Sequence, residues 1–212
     1  MLFDNHAQLR GRIEQPPVLD HSVNGKRVFR MVIGVKRDSG VLDHLQVNLT
    51  ENTLNRMPDT REGTDVALIG AIRTRPVTER DGTTHRDIYM LANRVTDHKE
   101  VNNQITISGF VRREPINRIT GTQGIEVTEL DVEVHWMDKR YFIPVITFKG
   151  VANCAKRLRI GDYVHIIGRL QSRTYKKALE NGTEIERTAI EVAAWRCTVP
   201  PERLRKTETD EG

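Results

Sequence analysis

Apolar and polar residues alternate through most of this chain, and the alternation changes period at a few definite places. In "IEVTELDVEV", Ile125 to Val134, the residues Thr128, Leu130, Val132 and Val134 fall on one face, and Val127, Glu129, Asp131 and Glu133 on the other. That is the pattern of a strand with one buried side. "QITISGFVRR" before it reads as a strand containing a glycine, where a barrel strand bends tightly. "YFIPVITF" follows the tight turn "MDKR" and sets Phe142, Ile146 and Phe148 opposite Ile143 and Val145. In "GVANCAKRLRIGD" the spacing of Val151, Cys154, Ala155 and Leu158 becomes helical, so a short helix is predicted over 150–162, ended by Gly161. "DYVHIIGRLQSRTY" and "TEIERTAIEVAAWRC" return to strand and form a closing hairpin around Asn181 and Gly182. Trp195 lies in an apolar run of the last strand and is assigned to the core.

The same order occurs once before. "EGTDVALIGAIRTRPV" anticipates "IGDYVHIIGRLQSRTY", with Gly63, Gly70 and Arg75 answered by Gly161, Gly168 and Arg173, each 98 positions later. Leu9, Gly11 and Pro17 answer to Ile107, Gly109 and Pro115 at the same offset, and "GKRVFRMVIGV" answers to "GIEVTELDVEV" at 99. A near-constant period with one or two residues inserted in turns marks a tandem duplication. Strand, strand, strand, helix, strand, strand in each copy is the order of an OB-fold barrel; an immunoglobulin-like sandwich lacks the helix. The predicted fold is therefore all-β with short helices, as two tandem five-stranded OB-fold barrels over residues 1–99 and 100–199, followed by a short polar tail at 200–212.

With 37% hydrophobic and 29% charged residues, the 212-residue chain can bury a core. No apolar run spans a bilayer and no apolar signal core follows the N-terminus, so a cytoplasmic protein without a membrane partner is expected. Cys154 and Cys197 have no metal-ligand spacing and read as buried free thiols. No metalloprotease, nucleophile-elbow or phosphate-loop motif occurs, so neither catalysis nor a cofactor is expected. The net charge of +4 suits a polyanionic partner without specifying one. Its 33 basic and 29 acidic residues are spread evenly between the halves, so the placement of charge carries the information.

Alternation puts Arg169, Gln171, Arg173 and Tyr175 on one face, away from Val164, Ile166 and Leu170. Exposed rings beside cations suit a single strand of nucleic acid, because rings stack on bases and guanidinium groups neutralise phosphates. The basic residues near the candidate rings are Arg112, Arg118, Lys139, Arg140, Lys149, Arg169, Arg173, Lys176 and Lys177. In the first copy Arg73 and Arg75 keep the alternation and offer phosphate contacts there.

"SGFVRREPINRITGTQG", "YFIPVITFKGVANCAKRLRIGDYVHIIGRLQSRTYKK" and "TAIEVAAWRC" resemble the bacterial single-stranded DNA-binding protein family over nearly all of residues 103–198. The first half resembles it only through the duplication, and more faintly the related primosomal replication proteins. The resemblance implies an OB barrel, sequence-tolerant binding of single-stranded DNA in replication, recombination or repair, association with the nucleoid, and four barrels assembled here as a homodimer. It maps the stacking aromatics onto Trp136, Phe142, Phe148 and Tyr175; the first-copy counterparts Arg37, His44, Thr50 and Val77 are not aromatic. Trp136 needs a bulge to leave the core side on which alternation puts it. The chain ends "PPERLRKTETDEG" without the family's acidic tip, which leaves recruitment of replication or repair proteins open. The other readings are a primosome-like accessory factor and an OB-fold protein–protein scaffold.

Overall fold

The computed structural model describes residues 4–78, 82, 84–97, 102–120, 124–136, 139–178 and 183–199, without the side chains of 176–178, 185 and 187. The tail from 200, the Asn181–Gly182 turn and the centre of the "MDKR" turn lie outside the described residues. Strands β1 (Asn5–Val23), β2 (Lys26–Lys36), β3 (Leu42–Thr50), β4 (Asp65–Thr78) and β5 (Thr84–Val95) build the first repeat, with helix α1 (Glu51–Leu54) before β4. The second repeat has β6 (Gln104–Val111), β7 (Ile116–Thr120), β8 (Ile125–Trp136), β9 (Lys139–Phe148), α2 (Lys149–Ala155), β10 (Tyr163–Ala178) and β11 (Glu184–Thr198).

In the first repeat β1 pairs with β2 and β4, β2 with β3, and β4 with β5, all antiparallel; β3 joins β5 in parallel. The ring returns to its first strand. In the second repeat β6 pairs with β8 and β10, β8 with β9, β9 with β11 in parallel, and β10 lies beside β11. This ring closes too. Inward residues alternate as predicted: Leu9, Ile33, Leu45, Leu68 and Met90 fill one interior, and Ile105, Ile107, Val132, Val134, Ile143 and Ile166 the other.

Closure demands close passage of backbones, and the repeated glycines sit where it occurs. A Cβ on Gly168 would lie 2.5 Å from the Ala193 carbonyl oxygen; one on Gly70 would strike Leu91 O, and Gly11 and Gly109 meet Gly34 O and Glu133 O in the same way. Gly63 and Gly161 share a second role. Each has positive φ, 83° and 88°, and donates its N–H to the first strand of its repeat, to Ile13 O at 2.8 Å and Val111 O at 2.9 Å.

Two expectations shift. The prolines shared by the repeats act differently: β1 carries Pro16 and Pro17 through a bulge between Gln15 and Val18, whereas the chain breaks between β6 and β7 at Arg112–Pro115. Helix α2 ends at Ala155 rather than near Gly161, because Arg157 to Asp162 turn back on themselves. Leu158 N–H donates to Ala155 O at 3.1 Å, and Arg159 N–H to Asp162 Oδ2 at 2.8 Å.

The chain divides into two compact units, Ala7–Asn103 with Leu170–Glu191, and Gln104–Arg169 with residues up to His6 and from Val192. This differs from a single break near residue 99, since the outer β10–β11 hairpin groups with the first repeat. Asn103 clamps Leu170 through both backbone groups, at 2.7 and 3.0 Å. Ser172 N–H donates to Asp43 Oδ1 at 2.6 Å, and Ser172 O accepts from Arg37 at 3.0 Å.

Gly168→Ala is expected to lower unfolding free energy in urea by about 1–3 kcal/mol, because neither backbone at the crossing yields easily. Gly150→Ala, whose Cβ meets open space in α2, is expected to be neutral or to raise stability by up to about 1 kcal/mol.

Candidate nucleic-acid interface

In the second repeat the outer face of β7, β8 and β9 gathers most of the candidate residues. The β8–β9 register runs unbroken from Val127↔Phe148 through Glu129↔Ile146, Asp131↔Pro144 and Glu133↔Phe142 to Trp136↔Lys139. Residues directly opposite in a sheet share a face, so Phe142 and Phe148 point outward together, about 20 Å apart along the strand. On the β7 side Arg118 lies opposite Val127, and Ile116 opposite Glu129. Phe148 is 36% exposed, and the Arg112 guanidinium stands 5.9 Å from the centre of the half-buried Phe142 ring.

Among these rings runs a row of carboxylates that pairs with the cations. Glu133 receives His135 at 2.7 Å, Arg112 at 3.5 Å and Arg140 at 3.5 Å. Arg113 stands 3.8 Å from Asp131, and Arg118 is bound to Glu129. Burial alone pushes the Glu133 carboxyl upward, but the His135 hydrogen bond and the charges of His135, Arg112 and Arg140 outweigh it and hold it below the usual carboxylate range. The cations therefore stand on a face that is nearly charge-balanced. Lys139 and Lys149 are exposed at the two ends of β9, and Lys149 adopts φ 53° directly after Phe148.

The remaining candidates lie elsewhere. Without a bulge in β8, Trp136 stays on the face of Val132 and Val134, opposite to Phe142 and Phe148. Arg169 is half-buried, and its Nε finds no hydrogen-bond partner among the described residues. Tyr175 and Arg173 belong to the unit of the first repeat. There the Arg173 guanidinium lies 5.5 Å from the centre of the Tyr175 ring and 4.0 Å from Glu191. The Tyr175 ring, 39% exposed, borders a groove of about 770 Å³ with Glu14, Gln46, His85, Arg86 and Ile190. The backbones of Lys176 and Lys177 belong to β10, and their side chains lie outside the described residues.

In the first repeat, two counterparts of the stacking positions hold the hairpin instead. Arg37 forms a two-pronged pair with the buried Asp43 at 2.5 and 2.7 Å, and the His44 N–H donates to Ser172 Oγ at 3.1 Å. Arg73 is buried, with Nη1 donating to Ile72 O, so it offers no open phosphate contact. Arg75 is committed to Asp20 at 3.2 Å and Asp87 at 3.6 Å, and lies 5.9 Å from the Tyr89 ring centre.

Two assignments made from the pattern of apolar residues are overturned. Trp195 is 49% exposed rather than core, because it shares the outward parity of Ala193 while Val192 and Ala194 point inward. Its parity with Ala193 was the available signal, masked by a run in which both faces are apolar. Cys154 is exposed rather than buried; Cys197 is half-buried, and burial, with Cys154 nearby as a lesser cause, pushes its thiol up to about 11. Among the described residues no three His, Cys, Asp or Glu side chains gather to hold a metal, and no helix is long and apolar enough to cross a membrane.

Closed strand rings with a parallel third-to-fifth pairing and a helix before the fourth strand define the OB fold. Over its whole length the chain is similar to the wild-type single-stranded DNA binding protein from Thermus aquaticus, with a TM-score of 0.73 at 22% identity and 100% of both chains covered. A deletion mutant of that protein matches with a TM-score of 0.72 at 22% identity, covering 99% of this chain and 98% of the mutant. The dimeric N-terminal domain of PriB from Thermoanaerobacter tencongensis matches 43% of this chain and 93% of its own, at 22% identity and a TM-score of 0.37. No family model and no curated protein matches the chain.

A carboxylate held low stabilises the fold at neutral pH and loses that contribution as pH falls through its lowered pKa. Glu133→Gln is thus expected to melt below wild type at pH 7, and the difference should shrink as the pH falls below 4.5, the carboxyl's ordinary value. Melting curves of both proteins between pH 7 and 3 test this.

Proposed function

We propose that this protein binds single-stranded DNA with little regard to sequence, through the outer face of β8 and β9, and performs no chemistry on it. The observation that carries the reading is the outward pair Phe142 and Phe148, flanked by Arg112, Arg118, Arg140 and Lys149, on an OB fold. The whole-chain likeness to the Thermus aquaticus protein supports it. Each base presents a π face to an exposed ring, a contact worth about 1–3 kcal/mol, while cations replace the counterions of the phosphates. The pair of Tyr175 and Arg173 offers a further stacking position in the other unit. The role is protection of single strands during replication, recombination or repair, by a cytoplasmic homodimer.

The carboxylate row bears on affinity. Glu129, Asp131 and Glu133 hold arginines that phosphates would otherwise attract, so binding replaces one set of partners with another. The salt slope of binding should therefore be shallower than the number of cations on the face implies.

Fluorescence anisotropy of labelled oligo-dT and of a matched duplex, at several salt concentrations, tests the reading. Tight, salt-sensitive preference for oligo-dT is expected, weakened by about 1–3 kcal/mol in Phe148→Ala. Glu129→Gln, which releases Arg118, should bind several-fold more tightly with a steeper salt dependence. Equal affinity for duplex and single strand would overturn the reading, and sedimentation equilibrium at the monomer mass of 24.3 kDa would overturn the dimer.

A further inference from the structure

We infer that Trp195 is a nucleobase-stacking residue, which extends the binding face from β9 onto β11. The inference rests on the single-stranded DNA reading above and adds a contact that lies off the β8–β9 pair.

Strands β9 and β11 run parallel with Val192, Ala193 and Ala194 beside Val145, Ile146 and Thr147. One residue further, β9 carries Phe148 and β11 carries Trp195. Neighbouring residues in a parallel ladder share a face, and neighbouring strands lie about 5 Å apart. Phe148 keeps an extended backbone, φ −128° and ψ 149°, so the outward parity of Ile146 continues to it. Ala193 and Ile146, one step back on this face, are covered and cluster with Val127. Phe148 and Trp195 are instead 36% and 49% exposed. Two large rings are left to solvent side by side while their small neighbours are buried, which is costly for a side chain whose only task is packing.

What borders the rings identifies the occupant. On the other side of Phe148 stands Val127, and opposite Val127 stands Arg118, so a row crosses β7, β8 and β9 as Arg118, Val127 and Phe148, and the β9–β11 register continued by one step from Ala194 and Thr147 brings Trp195 to it. Exposed Lys149 follows Phe148 directly. Flat aromatic faces with cations at the same level suit a base and its phosphate better than an apolar peptide side chain. The indole offers the larger ring of the two. Trp136, the other tryptophan, stays on the opposite face of the sheet.

The chain's two tryptophans make the assignment measurable. In full-length Trp136→Phe the only indole is Trp195; oligo-dT should quench its fluorescence in step with the anisotropy of a labelled oligonucleotide. Trp195→Ala should bind oligo-dT about 5- to 100-fold more weakly, whereas Trp195→Phe should keep most of the affinity and lose most of the quenching. If Trp136→Phe binds oligo-dT with unchanged fluorescence, or Trp195→Ala binds like wild type, Trp195 has no stacking role and the DNA reading stands. If none of the proteins binds oligo-dT, both fall.

Discussion

Closing a short sheet upon itself is the constraint on which everything else here depends. A five-stranded ring must bring backbones together at its corners, and in both repeats glycines occupy those crossings: Gly11 and Gly70, then Gly109 and Gly168. Once the ring is closed, each strand gives one face to a small interior. Residues of the opposite parity are thereby committed to the outside, whatever their hydrophobicity. Phe142, Phe148 and Trp195 are outward for that reason, and Trp136 is inward for the same reason.

The outer face so defined is a balance of charges rather than a basic patch. Arginines that look available in the chain are already held by Glu129, Asp131 and Glu133, and Glu133 is held in its charged form although it is buried. Such pairs fix the side chains in place around the rings.

The two repeats have diverged within one skeleton. Positions that carry Trp136 and Phe142 in the second hold Arg37 and His44 in the first; Arg37 bonds to Ser172 of the hairpin through its guanidinium, and His44 through its backbone N–H. The buried Asp43 anchors the same residue.

Periodicity by itself determined five strands of each repeat, the helix before the fourth of them and the outward pair on β9, because alternation is a local property of extended backbone; the short strand β7 was not predicted. The glycine matches at 98 residues were legible too, since no other side chain fits those crossings. Tertiary structure decided the rest. It showed that Trp136 has no bulge to turn it, that Tyr175 belongs with the first repeat, and that Arg73 is buried. It also put Trp195 on the same outward face as Phe148, 47 residues away in the chain. The physical reason is common to all of these. Which cation meets which carboxylate, and which ring stands beside which, depends on pairings between strands distant in sequence, and alternation along one strand carries no record of its neighbours.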